Sequence, residues 1–171
     1  RSHGHPMGGA NNNLAGAGRS SSSAATWVPP ANVMKAQLVH LDAMRFRAKA
    51  DGGHEMLFDG GDAESRSGQS PMQGVLLAAM ACTASDVVMI LRKERVPFAS
   101  LEIDAEAERA KDPPRVFTKI RLHYRVRGDG IRDSAVKRAI DLSSEKYCSV
   151  GVMLRRGGVE FVNTRGILPM E

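Results

Sequence analysis

Two segments in the middle of the chain alternate strictly between apolar and charged residues. In residues 101–108, "LEIDAEAE", every second side chain is acidic, and in residues 116–128, "VFTKIRLHYRVRG", a basic stripe alternates with apolar residues. A period of two is that of a β-strand with one face on a core and one face in water. The turn-forming "KDPPR" between them predicts a hairpin, in which the acidic and basic faces pair across the strands.

The longest apolar stretch, "VLLAAMAC" at residues 75–82, predicts a helix over about residues 72–95. Ser70 is a suitable N-cap, and Pro71 suits the first helical position because its missing N–H would have no helical partner there. Pro97 ends the helix, since the residue before a proline resists helical angles. The stretch is apolar on every side, which predicts a buried central helix.

The remaining segments complete an α+β order. Residues 33–48 and 54–58 flank a turn and predict an amino-terminal β-hairpin or meander. Residues 131–142 show helical spacing, residues 143–158 predict a second helix that starts at the serine pair, and residues 159–167 predict a last strand. Strands, a long helix, two strands, a helix pair and a strand indicate α+β rather than a repeating βαβ pattern.

Composition separates an arm from a domain. Residues 1–31 are rich in glycine, alanine, serine and asparagine and hold few core-forming residues, so they are predicted to be a flexible arm of low complexity beside a domain at residues 32–171. The arm contains no acidic residue, which gives it a faint likeness to an organelle transit peptide. An expression remnant or a processed terminus is an equally open interpretation.

Charge and motifs exclude several function classes. The net charge of +5 comes from 24 basic and 19 acidic residues that are mixed along the chain, and the basic stripe is expected to face acids, so no nucleic-acid partner is predicted. Thr83, Ser85 and Asp86 interrupt the longest apolar run, so no membrane partner is predicted. No nucleotide-binding glycine motif is present, and neither cysteine has zinc-site spacing, so neither a cofactor nor a metal is expected.

The two cysteines are the candidates for chemistry. Cys82 lies in the apolar helix with Asp86 at i+4, and both burial and a nearby carboxylate disfavour its thiolate, so its own surroundings favour a packed core thiol. Cys148 follows Lys146 near a predicted helix start, where free N–H groups and a cation can stabilise a thiolate. The two are 66 positions apart, so only the fold determines whether they meet.

Taken together, the two cysteine segments resemble a known family. "SPMQGVLLAAMACTASDVV" places a proline eleven residues before Cys82 in a helix of small residues, and "DLSSEKYCSVGVML" holds Cys148 in a "KYCSV" context. The combination resembles the two cysteine motifs of the OsmC/Ohr family of osmotically induced and organic-hydroperoxide-resistance proteins. The resemblance covers about residues 34–166. It implies a two-layer α+β fold, with antiparallel sheets around a long buried central helix, in an intertwined homodimer with sites near the subunit interface.

The resemblance also implies a chemistry. Cys82 would be the peroxidatic thiolate that becomes a sulfenic acid, and Cys148 would resolve it to a disulfide. An arginine of the amino-terminal hairpin would hold the thiolate, and Arg45 is the positional match with Arg47 as its rival. A dithiol or lipoyl-type reductant would complete the cycle without a metal or flavin.

One family feature is missing. The glutamate that fixes the arginine in family peroxidases follows the helix proline, whereas this chain has Met72 there and Gln73 next. Glu145 is a possible substitute. The chain is thus similar to a divergent OsmC-like subgroup, and two hypotheses follow from the resemblance. One is a peroxidase for organic hydroperoxides or hydrogen peroxide that acts in oxidative-stress defence. The other is a non-catalytic dimer that binds a small apolar or thiol-reactive ligand at the subunit interface.

Thiols that must be reduced for turnover favour a reducing compartment. The expected location is therefore the cytoplasm, or an organelle matrix if the arm is a transit segment.

Overall fold

The structure is a computed structural model and describes residues 33–170. The predicted arm at residues 1–31 lies outside the described residues. The strands and helices follow one another along the chain as β1 (Ala36–Asp42), β2 (Arg45–Ala50), β3 (Met56–Asp59), α1 (Pro71–Lys93), β4 (Ser100–Arg109), β5 (Phe117–Arg127), α2 (Asp133–Leu142), α3 (Ser149–Arg156) and β6 (Glu160–Leu168). This order confirms the predicted α+β class.

The first three strands form a small antiparallel sheet in the order β1-β2-β3. This sheet confirms the predicted amino-terminal meander. Every residue of β1 is exposed in the isolated chain. Gly68 follows the sheet so closely that a Cβ at this position would lie 2.6 Å from the Leu57 carbonyl oxygen, which is why the chain has a glycine here.

Helix α1 begins as the sequence predicts. The Ser70 side chain accepts a hydrogen bond from the Gln73 backbone N–H, and the Gln73 side chain accepts one from the Ser70 N–H, which completes a capping box behind Pro71. The helix ends at Lys93, two residues before the predicted end, and α1 spans 23 residues.

The predicted burial of α1 on every side is wrong for the isolated chain. Val87 and Leu91 are completely buried, whereas Leu77 is 43% exposed and Met89 is 55% exposed. The reason is that a single chain covers only part of the helix surface, with α2, α3 and β4.

Helix α1 is long and apolar enough to cross a membrane by length and composition, with a mean hydropathy of 2.0 over its best window. This corrects the expectation that Thr83, Ser85 and Asp86 exclude such a segment. Core helices of soluble proteins pass the same test. Only 28% of that window is buried within the chain, so most of its apolar surface is open.

The second sheet contains the predicted charged hairpin. Strands β4 and β5 pair antiparallel, and their register places Glu102 opposite Arg125 and Glu108 opposite Lys119. The Arg125 guanidinium donates to the carboxylates of both Glu102 and Asp104, so the basic stripe is neutralised across the strands as predicted.

Strand β6 corrects the prediction of purely antiparallel sheets, because it pairs parallel to β5. The connection from β5 to β6 contains α2 and α3, and a crossover of this length allows the chain to return in the same direction. The apolar face of β5 packs on α1 and α2 and forms the core, whose fully buried members include Val87, Leu91, Ile120, Tyr124, Val126 and Val136.

Candidate functional site

The fold brings the two cysteines together. Cys82 lies in the middle of α1, and Cys148 lies between α2 and α3. The Sγ atoms of both residues and a carboxylate oxygen of Asp86 all lie within 4.8 Å of one another. Asp86 is on the same face of α1 as Cys82, one turn further along, because residues at i and i+4 of a helix are neighbours. The three donors form one cluster, which we call the thiol–carboxylate cluster.

The backbone before α3 fixes the position of Cys148. A turn of π-helix, Ser143–Tyr147, ends with a hydrogen bond from the Cys148 N–H to the Ser143 carbonyl oxygen of 2.8 Å. Cys148 is the N-cap of α3, and its Sγ accepts a hydrogen bond of 3.3 Å from the Gly151 N–H. The helix therefore begins at Ser149 rather than at the predicted Ser143 or Ser144.

Cys148 is a buried, protonated thiol. It is 3% exposed, and burial raises its pKa to about 11. The neighbouring Cys82 and Asp86 raise the pKa further, whereas the Gly151 N–H lowers it. The expectation that a helix start and a cation make this thiol acidic is wrong, because desolvation outweighs the single N–H.

This raised pKa predicts slow, base-dependent alkylation of Cys148. Against an ordinary thiol with a pKa of 9.0, a thiol with a pKa of about 11 holds roughly 100-fold less thiolate at pH 8, so iodoacetamide is expected to react that much more slowly. Mass spectrometry of Cys82→Ser follows Cys148 alone. In the folded variant burial and Asp86 still raise the pKa of Cys148 although Cys82 is gone, so the rate should keep rising above pH 9, whereas in urea it should level off near pH 9.

The raised pKa of Cys148 also makes the free energy of unfolding depend on pH. The folded state holds the Cys148 proton more tightly than the unfolded state, so this contribution to the free energy of unfolding is complete below pH 9 and is lost between pH 9 and about 11. An alkylation rate that levels off near pH 9 in the folded variant would contradict the buried, protonated state.

A chain of hydroxyl groups leads to Asp86. The Ser143 hydroxyl donates to Asp86 Oδ2 at 3.0 Å, so Ser143 must accept from Thr83, whose hydroxyl lies 2.9 Å away. Thr83 in turn accepts from the Tyr124 hydroxyl at 2.9 Å. Burial raises the pKa of Tyr124 to about 12, so Tyr124 remains a donor at neutral pH. Three donors in series hold the carboxylate in place.

Arg155 is a cation near Cys148. A Cβ atom added to Gly151 would lie 3.1 Å from Cys148 Sγ and 3.4 Å from Arg155 Nη1, so the guanidinium and the thiol flank the same glycine. Arg155 donates to the Ser144 carbonyl oxygen at 2.6 Å, and its guanidinium stacks 4.4 Å above the Phe161 ring. The cavity between Arg155, Tyr124 and Cys148 measures about 10 Å³, roughly the space of one water molecule.

Sequence reasoning did not identify Arg155, Tyr124 or Ser143 as site residues. Arg155 lies in a helix of ordinary composition, and Tyr124 lies on the apolar face of β5 with the appearance of a core residue. No local signal marks Tyr124 or Arg155, and Ser143 lies in the segment around Cys148 but shows its contact with Asp86 only in the fold.

The predicted cations lie elsewhere in the chain. Arg45 forms a salt bridge with Asp42 beside the turn between β1 and β2, and Arg47 lies 3.8 Å from Glu55. Among residues 33–170, no contact joins either arginine to Cys82 or Cys148. The assignment of Arg45 to the thiolate remains a prediction.

The residues considered for the position of the family glutamate have other roles in this chain. Met72 packs against the edge of the core, and the Gln73 side chain belongs to the capping box. Glu145 is exposed on the π-helical turn. Asp86 is the carboxylate that does lie beside both thiols.

Comparison with known proteins identifies the family. The family model for OsmC-like proteins matches residues 61–162. Protein YhfA of Escherichia coli strain K12 is 42% identical over 123 residues, which are 72% of this chain and 90% of YhfA. This identity extends across most of both chains.

Solved structures share the fold. The OsmC-like protein from Mycoplasma pneumoniae has a TM-score of 0.71 at 15% identity and covers 81% of this chain and 99% of its own. The organic hydroperoxide resistance protein OhrB of Bacillus subtilis has a TM-score of 0.57 at 15% identity and covers 78% of this chain and 98% of its own. The resemblance carried by the two cysteine motifs is confirmed, and the chain belongs to the OsmC-like family.

Proposed function

We propose that this chain is a thiol-dependent peroxidase in which Cys82 attacks the peroxide and Cys148 resolves the product. The observation that carries the proposal is the separation of the two sulfur atoms, which is at most 4.8 Å. A disulfide bond of about 2.05 Å needs the sulfurs to approach by less than about 3 Å, which a rotamer change or a small helix shift can supply. The membership of organic hydroperoxide resistance proteins in the same fold family supports this chemistry.

Burial supports the order of the two thiols. Cys82 is partly exposed, whereas Cys148 is 3% exposed beside a cavity of about 10 Å³. A hydroperoxide can therefore reach Cys82 more easily than Cys148. A protonated, buried thiol is suited to the second step, the attack on Cys82 after Cys82 has been oxidised.

The proposed reaction has three steps: oxidation of Cys82, formation of the disulfide, and reduction of the disulfide. The Cys82 thiolate attacks the O–O bond of the hydroperoxide, which forms a sulfenic acid and releases an alcohol after the leaving oxygen takes one proton. Cys148 then attacks the sulfenic sulfur, loses its own proton and releases water as the disulfide forms. A dithiol or lipoyl-type reductant supplies two electrons and two protons, and leaves as its own disulfide.

We also propose that the active form is a homodimer. The open face of α1 and the exposed β1 leave apolar surface that a second copy of this chain would cover, and this cover would make α1 the buried central helix that the resemblance implies. Arg45 can take its expected role of holding the thiolate only within this proposed dimer. A reducing compartment, the cytoplasm or an organelle matrix, fits the need for reduced thiols.

A thiol count tests the peroxidase. Fully reduced, metal-free protein is treated with one equivalent of an organic hydroperoxide, and free thiols are titrated over time. The expected result is rapid loss of two thiols per chain, with recovery after addition of a dithiol, and no loss in Cys82→Ser. An unchanged count over hours would contradict the peroxidase and favour the non-catalytic ligand-binding dimer.

A further inference from the structure

The thiol–carboxylate cluster contains three atoms that can donate an electron pair to a metal ion. The sulfurs of Cys82 and Cys148 and a carboxylate oxygen of Asp86 lie within 4.8 Å of one another. In a tetrahedral zinc site, with Zn–S near 2.3 Å and Zn–O near 2.0–2.2 Å, neighbouring donor atoms are about 3.4–3.8 Å apart. The cluster therefore needs a contraction of roughly 1 Å to match such a site.

The charges of the cluster favour a cation. Two thiolates and the Asp86 carboxylate would place three negative charges within 4.8 Å of one another, and these charges repel. A divalent cation between the three groups turns this repulsion into attraction. Arg155, the cation near Cys148, is already engaged with the Ser144 carbonyl oxygen and the Phe161 ring.

We propose that the reduced chain binds one Zn²⁺ ion through Cys82, Asp86 and Cys148. Two thiolates and a carboxylate select zinc over magnesium or calcium, which prefer oxygen ligands alone. Three protein ligands leave the fourth position of the ion to water or an outside ligand. On binding, the two thiols release two protons, so affinity rises with pH.

The hydroxyl chain is the supporting shell of this site. Ser143 donates to Asp86 Oδ2 and itself accepts from Thr83, which fixes the carboxylate from behind. Hydrogen bonds of this kind orient metal ligands and contribute about 10–100-fold to metal affinity. The spacing rule used on the sequence missed the site because its third ligand is 66 positions from the first.

Zinc binding does not depend on the proposed peroxidase. It requires only the reduced thiols and Asp86, whereas the peroxidase is tested in metal-free protein. If both proposals are correct, zinc binding and peroxide reduction exclude each other. Bound zinc occupies the lone pairs of Cys82, and the disulfide formed by peroxide removes both thiolates.

Cobalt(II) is the optical probe for this site. Reduced protein is titrated with Co²⁺ without oxygen, and Zn²⁺ is then added to displace it. We expect one equivalent of Co²⁺ per chain with a thiolate-to-cobalt charge-transfer band, which is displaced by Zn²⁺ and absent in Cys82→Ser, in Cys148→Ser and in protein oxidised to the disulfide. The histidines at His3 and His5 cannot produce this band, since it requires sulfur.

Asp86→Asn tests the carboxylate. Asparagine keeps an oxygen that accepts from Ser143, so the fold is retained while the charge is removed. The Kd for Zn²⁺ is expected to increase at least about 10-fold. Asp133→Asn, the same change on α2 where Asp133 pairs with Arg165, should bind as the wild type does.

Two results would overturn the proposal. One is the absence of a charge-transfer band from reduced wild-type protein. The other is a Kd for Zn²⁺ in Asp86→Asn equal to that of the wild type. Neither result bears on the peroxide-driven loss of thiols, so the two proposals fail separately.

Discussion

The Cys148→Ser variant is expected to lose its one remaining thiol to one equivalent of organic hydroperoxide and to hold Cys82 as a sulfenic acid. The reason is that Cys82 is the partly exposed thiol, and the serine hydroxyl in place of the Cys148 thiol cannot condense with the oxidised sulfur. Trapping with dimedone and mass spectrometry of the Cys82 peptide measure the product. Turnover with a dithiol should fall steeply, because the disulfide intermediate is missing.

The Cys82→Ser variant is the matched control, since it makes the same atomic change in the other thiol. Its rate of peroxide consumption should fall by roughly three orders of magnitude or more, as is usual when a nucleophile is removed. If Cys148 is oxidised at the wild-type rate in Cys82→Ser, the assigned order of the two thiols is wrong. Unfolding by urea checks that both variants keep the native stability.

Local patterns predicted the elements whose determinants lie close in sequence. The alternation that places Glu102 opposite Arg125 has a period of two along each strand, and the short turn between the strands fixes their pairing. Ser70, the predicted N-cap, accepts its hydrogen bond from Gln73, only three positions further along the chain. Such features need no knowledge of the rest of the chain.

Features that join distant segments were not predictable in the same way. The parallel pairing of β6 depends on the whole crossover after β5, and the hydroxyl chain joins Thr83, Tyr124 and Ser143 from three separate elements. The thiol pair was expected only because two motifs together resembled a family. Asp86 was recognised as a neighbour of Cys82, whereas its contact with Ser143 became visible only in the fold.

The site differs from that expected of a family peroxidase, because the expected glutamate is missing and a different carboxylate, that of Asp86, lies beside the thiols. Met72 cannot form an ion pair, and the carboxylate in the site, Asp86, lies against the sulfurs rather than behind an arginine. Asp86 contributes to the raised pKa of Cys148 and so slows its attack on the sulfenic sulfur, and peroxide turnover is expected to be slower than in a site where a cation faces the thiols. The position of the Asp86 carboxylate beside the two sulfurs favours the binding of a metal ion.

Replacement of Leu77 by glutamate is expected to separate a dimer into monomers. Leu77 is 43% exposed on α1, and a second copy of the chain would bury it. An unpaired charge within an apolar interface costs several kcal/mol, so the Kd of the dimer should increase by at least about 100-fold. Sedimentation velocity over a range of concentrations measures the change.

The control for this variant is Val116→Glu, which makes a similar change at an apolar residue that is 52% exposed in the turn between β4 and β5. It should leave the Kd of the dimer unchanged. Because Leu77 lies outside the buried core of its own chain, Leu77→Glu monomers should retain their secondary structure by circular dichroism. A wild-type chain that sediments as a monomer at high concentration, or a Leu77→Glu dimer of native affinity, would show that a second copy does not cover this face of α1.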